Sequence, residues 1–115
     1  LIQNNVLRRS LGNGVRLEAS AGVLVFDNLI VENGAAGIAA LGQNTVEIIN
    51  NTIYGNEEGG VVIRRLQVPG DNIPSAFAFL QNNIIDGNTG LGIFVDQFSD
   101  TGNEMRYNIN RNGYQ

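Results

Sequence analysis

Asn51-Thr52-Ile53-Tyr54-Gly55-Asn56, followed after a short gap by Gly60-Val61-Val62-Ile63, returns further on as Asn83-Ile84-Ile85-Asp86-Gly87-Asn88 with Gly92-Ile93-Phe94-Val95. The same frame fits two earlier segments, starting at Asn5 and at Asn28. Aligned this way, Asn5, Asn28, Asn51 and Asn83 form one column. Two residues on stand Leu7, Ile30, Ile53 and Ile85, and five residues on stand Ser10, Asn33, Asn56 and Asn88. Then come Gly14, Gly37, Gly60 and Gly92, each followed by a β-branched aliphatic: Val15, Ile38, Val61, Ile93. Leu17, Ala40, Ile63 and Val95 fill a further apolar column. A partial fifth copy begins near Tyr107, with Ile109 in the aliphatic column and Asn112 in the polar one. Successive starts lie 23, 23, 32 and 24 residues apart, as differences of the aligned positions. The long interval contains residues 67–75 (QVPGDNIPS), which hold both prolines and read as an inserted loop.

Apolar residues within each unit alternate with period two, as in Val15-Arg16-Leu17, which is strand periodicity. Each unit is too short and too rich in glycine for a helical repeat. It offers three short strands, placed in the first unit at residues 6–9, 14–18 and 23–27. One such coil cannot bury its inward face, but stacked coils join their inward side chains into a continuous column. The expected fold is therefore all-β: a right-handed parallel β-helix of about four coils, spaced at the interstrand distance of about 4.8 Å. In this reading the Asn columns sit at turns, tolerate a left-handed backbone there, and bond to the Asn of the neighbouring coil. The Gly column marks sharp turns that exclude a Cβ. Leucine-rich repeats share the period but require a leucine consensus that no unit shows. Hexapeptide and calcium-binding nonapeptide coils need shorter periods.

Composition narrows the function. The chain of 115 residues is 43% hydrophobic and 16% charged, with a net charge of −4. That balance argues against a general nucleic-acid backbone binder, and an acidic partner polymer would need a local basic patch. No apolar run is long enough to insert in a membrane as a helix. Cysteine is absent, so there is no disulfide framework. Histidine is absent too, which removes Ser-His-Asp and Cys-His nucleophiles, His-rich metal sites and His general bases. Both ends fall inside coils, so the reading expects one β-helix segment of a longer chain, or ends covered by another subunit.

The units quoted above resemble the parallel β-helix repeats of the pectin-lyase-like superfamily, over essentially the whole chain. The resemblance implies polysaccharide lyases, hydrolases and epimerases, phage tailspikes, and adhesins or other surface proteins, and with them an extracellular or cell-surface location. In the lyases of this fold a cleft runs along the sheet whose strands begin at the repeat glycines. There carboxylates hold calcium, and an Arg or Lys abstracts the proton beside the uronate carboxyl. Here that strand carries an outward column Arg16, Ala39, Val62, Phe94 and a second one Glu18, Leu41, Arg64, Asp96. Arg64, Arg65, Asp71, Asp96 and Asp100 form the richest polar cluster, just past the strand.

Phe94, Arg64 and Arg65 are accordingly the candidate carbohydrate contacts, since Arg engages a uronate carboxylate bidentately. Arg64, Asp96 and Asp100 are the catalytic candidates, and two carboxylates could alternatively serve as an acid/base pair for hydrolysis. Asp71, Asp96 and Asp100 are the candidate oxygen ligands if calcium binds; no other cofactor is called for. The sequence departs from the family's catalytic patterns. It lacks a His-containing signature, the paired-Asp and Arg-x-Lys motifs of the polygalacturonases, and the Asp-Pro-His-Glu motif of the alginate epimerases. A solvated loop with surface ion pairs, or an outward apolar column covered by a partner, accounts for the same residues. The leading reading is a scaffold segment contacting a polysaccharide or another protein subunit, with homo-oligomers or end-to-end stacking as its structural form. The alternative is a fragment of a polysaccharide lyase, hydrolase or epimerase.

Overall fold

The repeat closes into coils. In the computed structural model, residues 1–19, 22–42, 45–73, 78–96, 99 and 102–112 are described, apart from the side chains of Val68, Asp71, Asn72 and Ile73. The first two coils carry β1 (Ile2–Gln3), β2 (Val6–Arg8), β3 (Val15–Glu18), β4 (Val23–Phe26), β5 (Leu29–Val31) and β6 (Ala36–Leu41). Then follow β7 (Val46–Ile49), β8 (Thr52–Tyr54), β9 (Gly59–Arg64), β10 (Leu66–Val68) and β11 (Asp71–Ile73). The chain continues with β12 (Ala78–Gln81), β13 (Ile84–Asp86), β14 (Ile93–Val95), β15 (Glu104–Arg106) and β16 (Ile109–Arg111). All but β10 and β11 join three parallel sheets. Sheet A runs β1-β4-β7-β12-β15, sheet B runs β2-β5-β8-β13-β16, and sheet C runs β3-β6-β9-β14.

The registers follow the sequence columns. Leu7 pairs with Ile30, Ile30 with Ile53, and Ile53 with Ile85 in sheet B. Val15, Ile38, Val61 and Ile93 align in sheet C. These residues point inward, where Ile30, Ile38, Ile53, Val61 and Ile85 are all fully buried beside Val25, Ile48 and Leu80 of sheet A. Fully burying one such side chain is worth about 1.5–3 kcal/mol, so the stacked aliphatics drive the assembly.

The two corners flanking sheet B are polar and equally buried. Asn28 donates from both its backbone N–H and its Nδ2 to Asn51 Oδ1, each at 3.0 Å. Asn51 does the same to Asn83, and Asn83 to Asn108. A second ladder runs from Asn33 through Asn56 and Asn88 to Asn112. Ser10 enters that ladder through its backbone N–H alone. The remaining Nδ2 hydrogens go to carbonyls such as Ile2 O and Val25 O. Among the described residues no buried side-chain nitrogen or oxygen lacks a partner, which is what permits six asparagines to sit inside the protein.

Three details differ from the expectation. The left-handed backbone belongs to the residue before each asparagine of the first ladder: Asn4, Asp27, Asn50, Asn82 and Tyr107, at φ 55–57°. The asparagine itself needs an extended backbone to aim its N–H and its side chain at one acceptor. Tyr107 therefore does not start the fifth unit. Asn108 does, and the corner from Asn108 to Asn112 is one residue shorter than in the other coils. That shift sends Ile109 outward and sets Asn110 against Ile85 in the inward register.

The second detail concerns glycine. Gly14, Gly37, Gly60 and Gly92 have no left-handed φ. A Cβ at Gly14 would lie 2.6 Å from Ile30 Cγ2 and 2.8 Å from Gly37 O, so close approach of adjacent coils, not a sharp turn, excludes it. The third detail is the inserted segment, which contains an antiparallel hairpin. β10 pairs with β11, Leu66 opposite Ile73 and Val68 opposite Asp71, closed by Pro69-Gly70 with Gly70 at φ 83°.

Candidate functional site

Sheet C presents two outward columns because residues two apart along a strand point to the same face of the sheet. Arg16, Ala39, Val62 and Phe94 are in register across four coils, and Glu18, Leu41 and Arg64 across three. The small side chains at the centre leave a shallow trough. Ala39 and Val62 are only 5% and 3% exposed although they face away from the core, because Ala36, Phe94 and the flanking long side chains close over them.

Arg64 and Phe94 stand on adjacent strands, and the guanidinium lies 5.6 Å from the ring centroid, within cation–π range. The half-buried ring thus rests on Val62 and carries Arg64 above it. As a stacking platform Phe94 is partly occupied by this cation, so a sugar would meet ring and guanidinium together. Among the described residues Arg64 has no carboxylate within ion-pair distance.

Asp96 follows β14, where its N–H donates to Ile63 O at 3.0 Å. Its Oδ2 accepts the backbone N–H of Arg65 at 2.8 Å, tying the start of the inserted segment to the next coil. Arg64, Arg65, Leu66, Gln67, Phe94 and Asp96 then enclose a groove of about 470 Å3, completed by Arg16 and Leu41. A smaller hollow of about 250 Å3 continues it along the trough toward Asn13 and Glu58. The hairpin forms one wall of the groove through Leu66 and Gln67.

The sequence candidates are thus brought together only in part. Arg64, Arg65, Phe94 and Asp96 line one groove. Asp100 and the Asp71 side chain lie outside the described residues. Arg16, not singled out as a contact from sequence, joins the groove because it stands two rungs from Arg64, and its Nη2 pairs with Glu18 Oε1 at 3.2 Å. The signal was present, since residues 16, 39 and 62 follow the same 23-residue spacing.

Among the described residues three arginines and one aspartate line the groove, with Arg16 paired to Glu18 beside it, so the lining is more basic than the chain as a whole. Among the described residues no three acidic side chains converge on a point. No helix is long and apolar enough to cross a membrane among these residues.

A family model described as "right handed beta helix region" matches residues 1–115. No curated protein and no solved structure matches the chain.

Proposed function

We propose that this chain, which belongs to the right-handed β-helix family over its whole length, is a non-catalytic scaffold segment of an extracellular or surface protein that holds an acidic polysaccharide along sheet C. The observation that carries the reading is the arginine-lined groove in an acidic protein: Arg16, Arg64 and Arg65 with Phe94 and, among the described residues, a single aspartate. Guanidinium groups offer paired donors to a uronate carboxylate, and the exposed part of the Phe94 ring offers an apolar surface to the faces of a pyranose. Arg16 and Arg64 stand two rungs apart, roughly 9.6 Å along the solenoid axis at the ordinary interstrand spacing, but in neighbouring outward columns, so a polymer crossing sheet C obliquely meets both.

The non-catalytic part rests on the chemistry available. Asp96 is engaged with a backbone N–H, and no imidazole exists anywhere in the chain. Calorimetric titration with oligomers of polygalacturonate and alginate should give binding, with none for a neutral glucan. Arg64→Ala should weaken it roughly tenfold, as loss of a charge-assisted contact implies. Absence of binding to every acidic oligomer contradicts the proposal. Calcium-dependent release of unsaturated uronate, followed by ultraviolet absorbance and lost in Arg64→Ala, would replace the scaffold with a lyase.

A further inference from the structure

The chain contains three Asn-Gly pairs: Asn13-Gly14, Asn33-Gly34 and Asn112-Gly113. Gly113 lies outside the described residues, and the other two pairs stand on neighbouring coils in different surroundings. An asparagine before glycine is the one most open to attack by the next backbone nitrogen, because glycine has no Cβ to shield it. Asn33 is fully buried in the second ladder. Its Nδ2 donates to Leu7 O at 3.1 Å and to Asn56 Oδ1 at 2.9 Å, and its Oδ1 accepts the Ser10 N–H at 3.1 Å. The Gly34 N–H, on the nitrogen that would attack, donates to Ser10 O at 2.8 Å.

Asn13 is half-buried and belongs to neither ladder. Its Oδ1 accepts the Ala36 N–H at 3.0 Å, and its Nδ2 makes no hydrogen bond among the described residues. The Gly14 N–H donates to Ala36 O at 3.1 Å. We infer that Asn13 is a site of spontaneous deamidation through a cyclic imide, and that the ladder protects Asn33 from the same reaction. The Gly14 nitrogen gives up its proton to solvent base and attacks Asn13 Cγ. A bond forms between that nitrogen and Cγ, the bond from Cγ to Nδ2 breaks, and the side-chain nitrogen leaves as ammonia. Water then opens the imide at either carbonyl, which leaves aspartate or isoaspartate.

The attack requires the glycine N–H to leave its carbonyl partner and the asparagine side chain to turn over the backbone, so it proceeds through a local opening. At Asn13 that opening breaks the two bonds to Ala36. At Asn33 it breaks the bond from Gly34 to Ser10 O and three side-chain bonds besides. Two further hydrogen bonds, each worth a factor of several, make Asn33 slower by roughly tenfold or more. The product at Asn13 adds one negative charge to the chain's −4, in the hollow that Asn13 shares with Arg16 and Glu58. Isoaspartate also lengthens the main chain by one methylene just before β3.

Ageing the full chain in mildly alkaline buffer at body temperature, then cleaving after arginine for mass spectrometry, reads each site separately. Residues 10–16 form one peptide with Asn13 as its only amide side chain, and Asn33 falls in residues 17–64, where fragmentation locates it. The 10–16 peptide should gain the mass difference between amide and acid. Part of it should accept a methyl group from an isoaspartate methyltransferase, which direct hydrolysis of the side chain would not permit. Asn33 should stay intact over the same period. In guanidinium chloride, where the ladder is gone, the two sites should convert at rates within a few-fold of each other. Asn13 unchanged in the folded chain while the unfolded chain converts, or conversion without isoaspartate, overturns the inference. So does Asn33 reacting as fast as Asn13 in the folded chain, or an equally large difference between the two sites in the unfolded one. The outcome is independent of glycan binding.

Discussion

At the scale of single residues, asparagine and glycine hold this protein together for reasons that only the neighbouring coil supplies. Asn51 Oδ1 accepts two hydrogen bonds from Asn28 while its own Nδ2 reaches Val25 O, Ile49 O and Asn83 Oδ1. Asn51→Ala strands the buried N–H and one Nδ2 hydrogen of Asn28, whose other Nδ2 hydrogen keeps Ile2 O, and each unsatisfied group costs about 1–3 kcal/mol. Urea denaturation should register a loss of about 2–4 kcal/mol; an unchanged midpoint means the ladder is dispensable. Glycines separate into two kinds. A Cβ at Gly37 would come 2.5 Å from Ile53 Cγ2 and 2.8 Å from Gly60 O, so Gly37→Ala should destabilise by about 1–3 kcal/mol through overpacking. Gly12 has open space and no left-handed φ, and Gly12→Ala should stay within about 0.5 kcal/mol of the parent. The columns themselves were legible, because stacking makes sequence spacing equal spatial register. Their conformations were not. The left-handed residue sits one place before the column, as Asn4, Asp27, Asn50, Asn82 and Tyr107 do, and at Tyr107 side-chain identity gives no hint of it.

At the scale of elements, inserted structure hangs on a periodic frame. The interval from Asn51 to Asn83 exceeds the 23-residue interval from Asn28 to Asn51 by the length of residues 67–75, since 32 less 23 leaves nine. Both ladder bonds nonetheless cross the long interval with the same geometry as the short ones. Deleting residues 67–75 should therefore keep cooperative unfolding and β-sheet circular dichroism, while removing Gln67 from the groove wall and weakening oligosaccharide binding. Loss of folding in that variant would mean the insertion is structural. The hairpin was read from sequence as a loop because Pro69 and Gly70 dominate it. Three residues on either side are too few for periodicity to reveal β10 and β11. The outward stripe Val6, Leu29, Thr52, Ile84 and Ile109 on sheet B was also missed: its members directly follow the asparagine column, and a lone aliphatic beside a polar turn is unremarkable until five coils are stacked. The fifth coil misled for a different reason. Its shortened corner moves Ile109 to the outside, and a column alignment cannot see a one-residue deletion so near the end of a repeat.

At the scale of the whole molecule, stacking turns one-dimensional repetition into faces of distinct chemistry. Sheet A and sheet B flank the shaft, sheet C bears a cationic groove, and the chain overall is acidic at −4. Because exposed charges interact over about 8 Å at physiological ionic strength and about 3 Å at 1 M salt, binding of polyuronate should weaken steadily as sodium chloride rises. Affinity indifferent to salt would point to apolar contact alone. The groove was half legible beforehand: Arg64, Arg65, Phe94 and Asp96 follow from position on the repeat, while the Arg64–Phe94 stack and the engagement of Asp96 with the Arg65 N–H depend on side-chain direction. All of these placements require that residues 23 positions apart lie one above the other. A nuclear Overhauser spectrum of the amide protons tests that requirement most directly. Cross-peaks should join the Asn28 N–H and Nδ2 hydrogens to the side-chain amide of Asn51, and likewise Asn33 to Asn56, with slow solvent exchange at all four side chains. Missing cross-peaks and rapid exchange of those amides would contradict the stacked coils and every face derived from them.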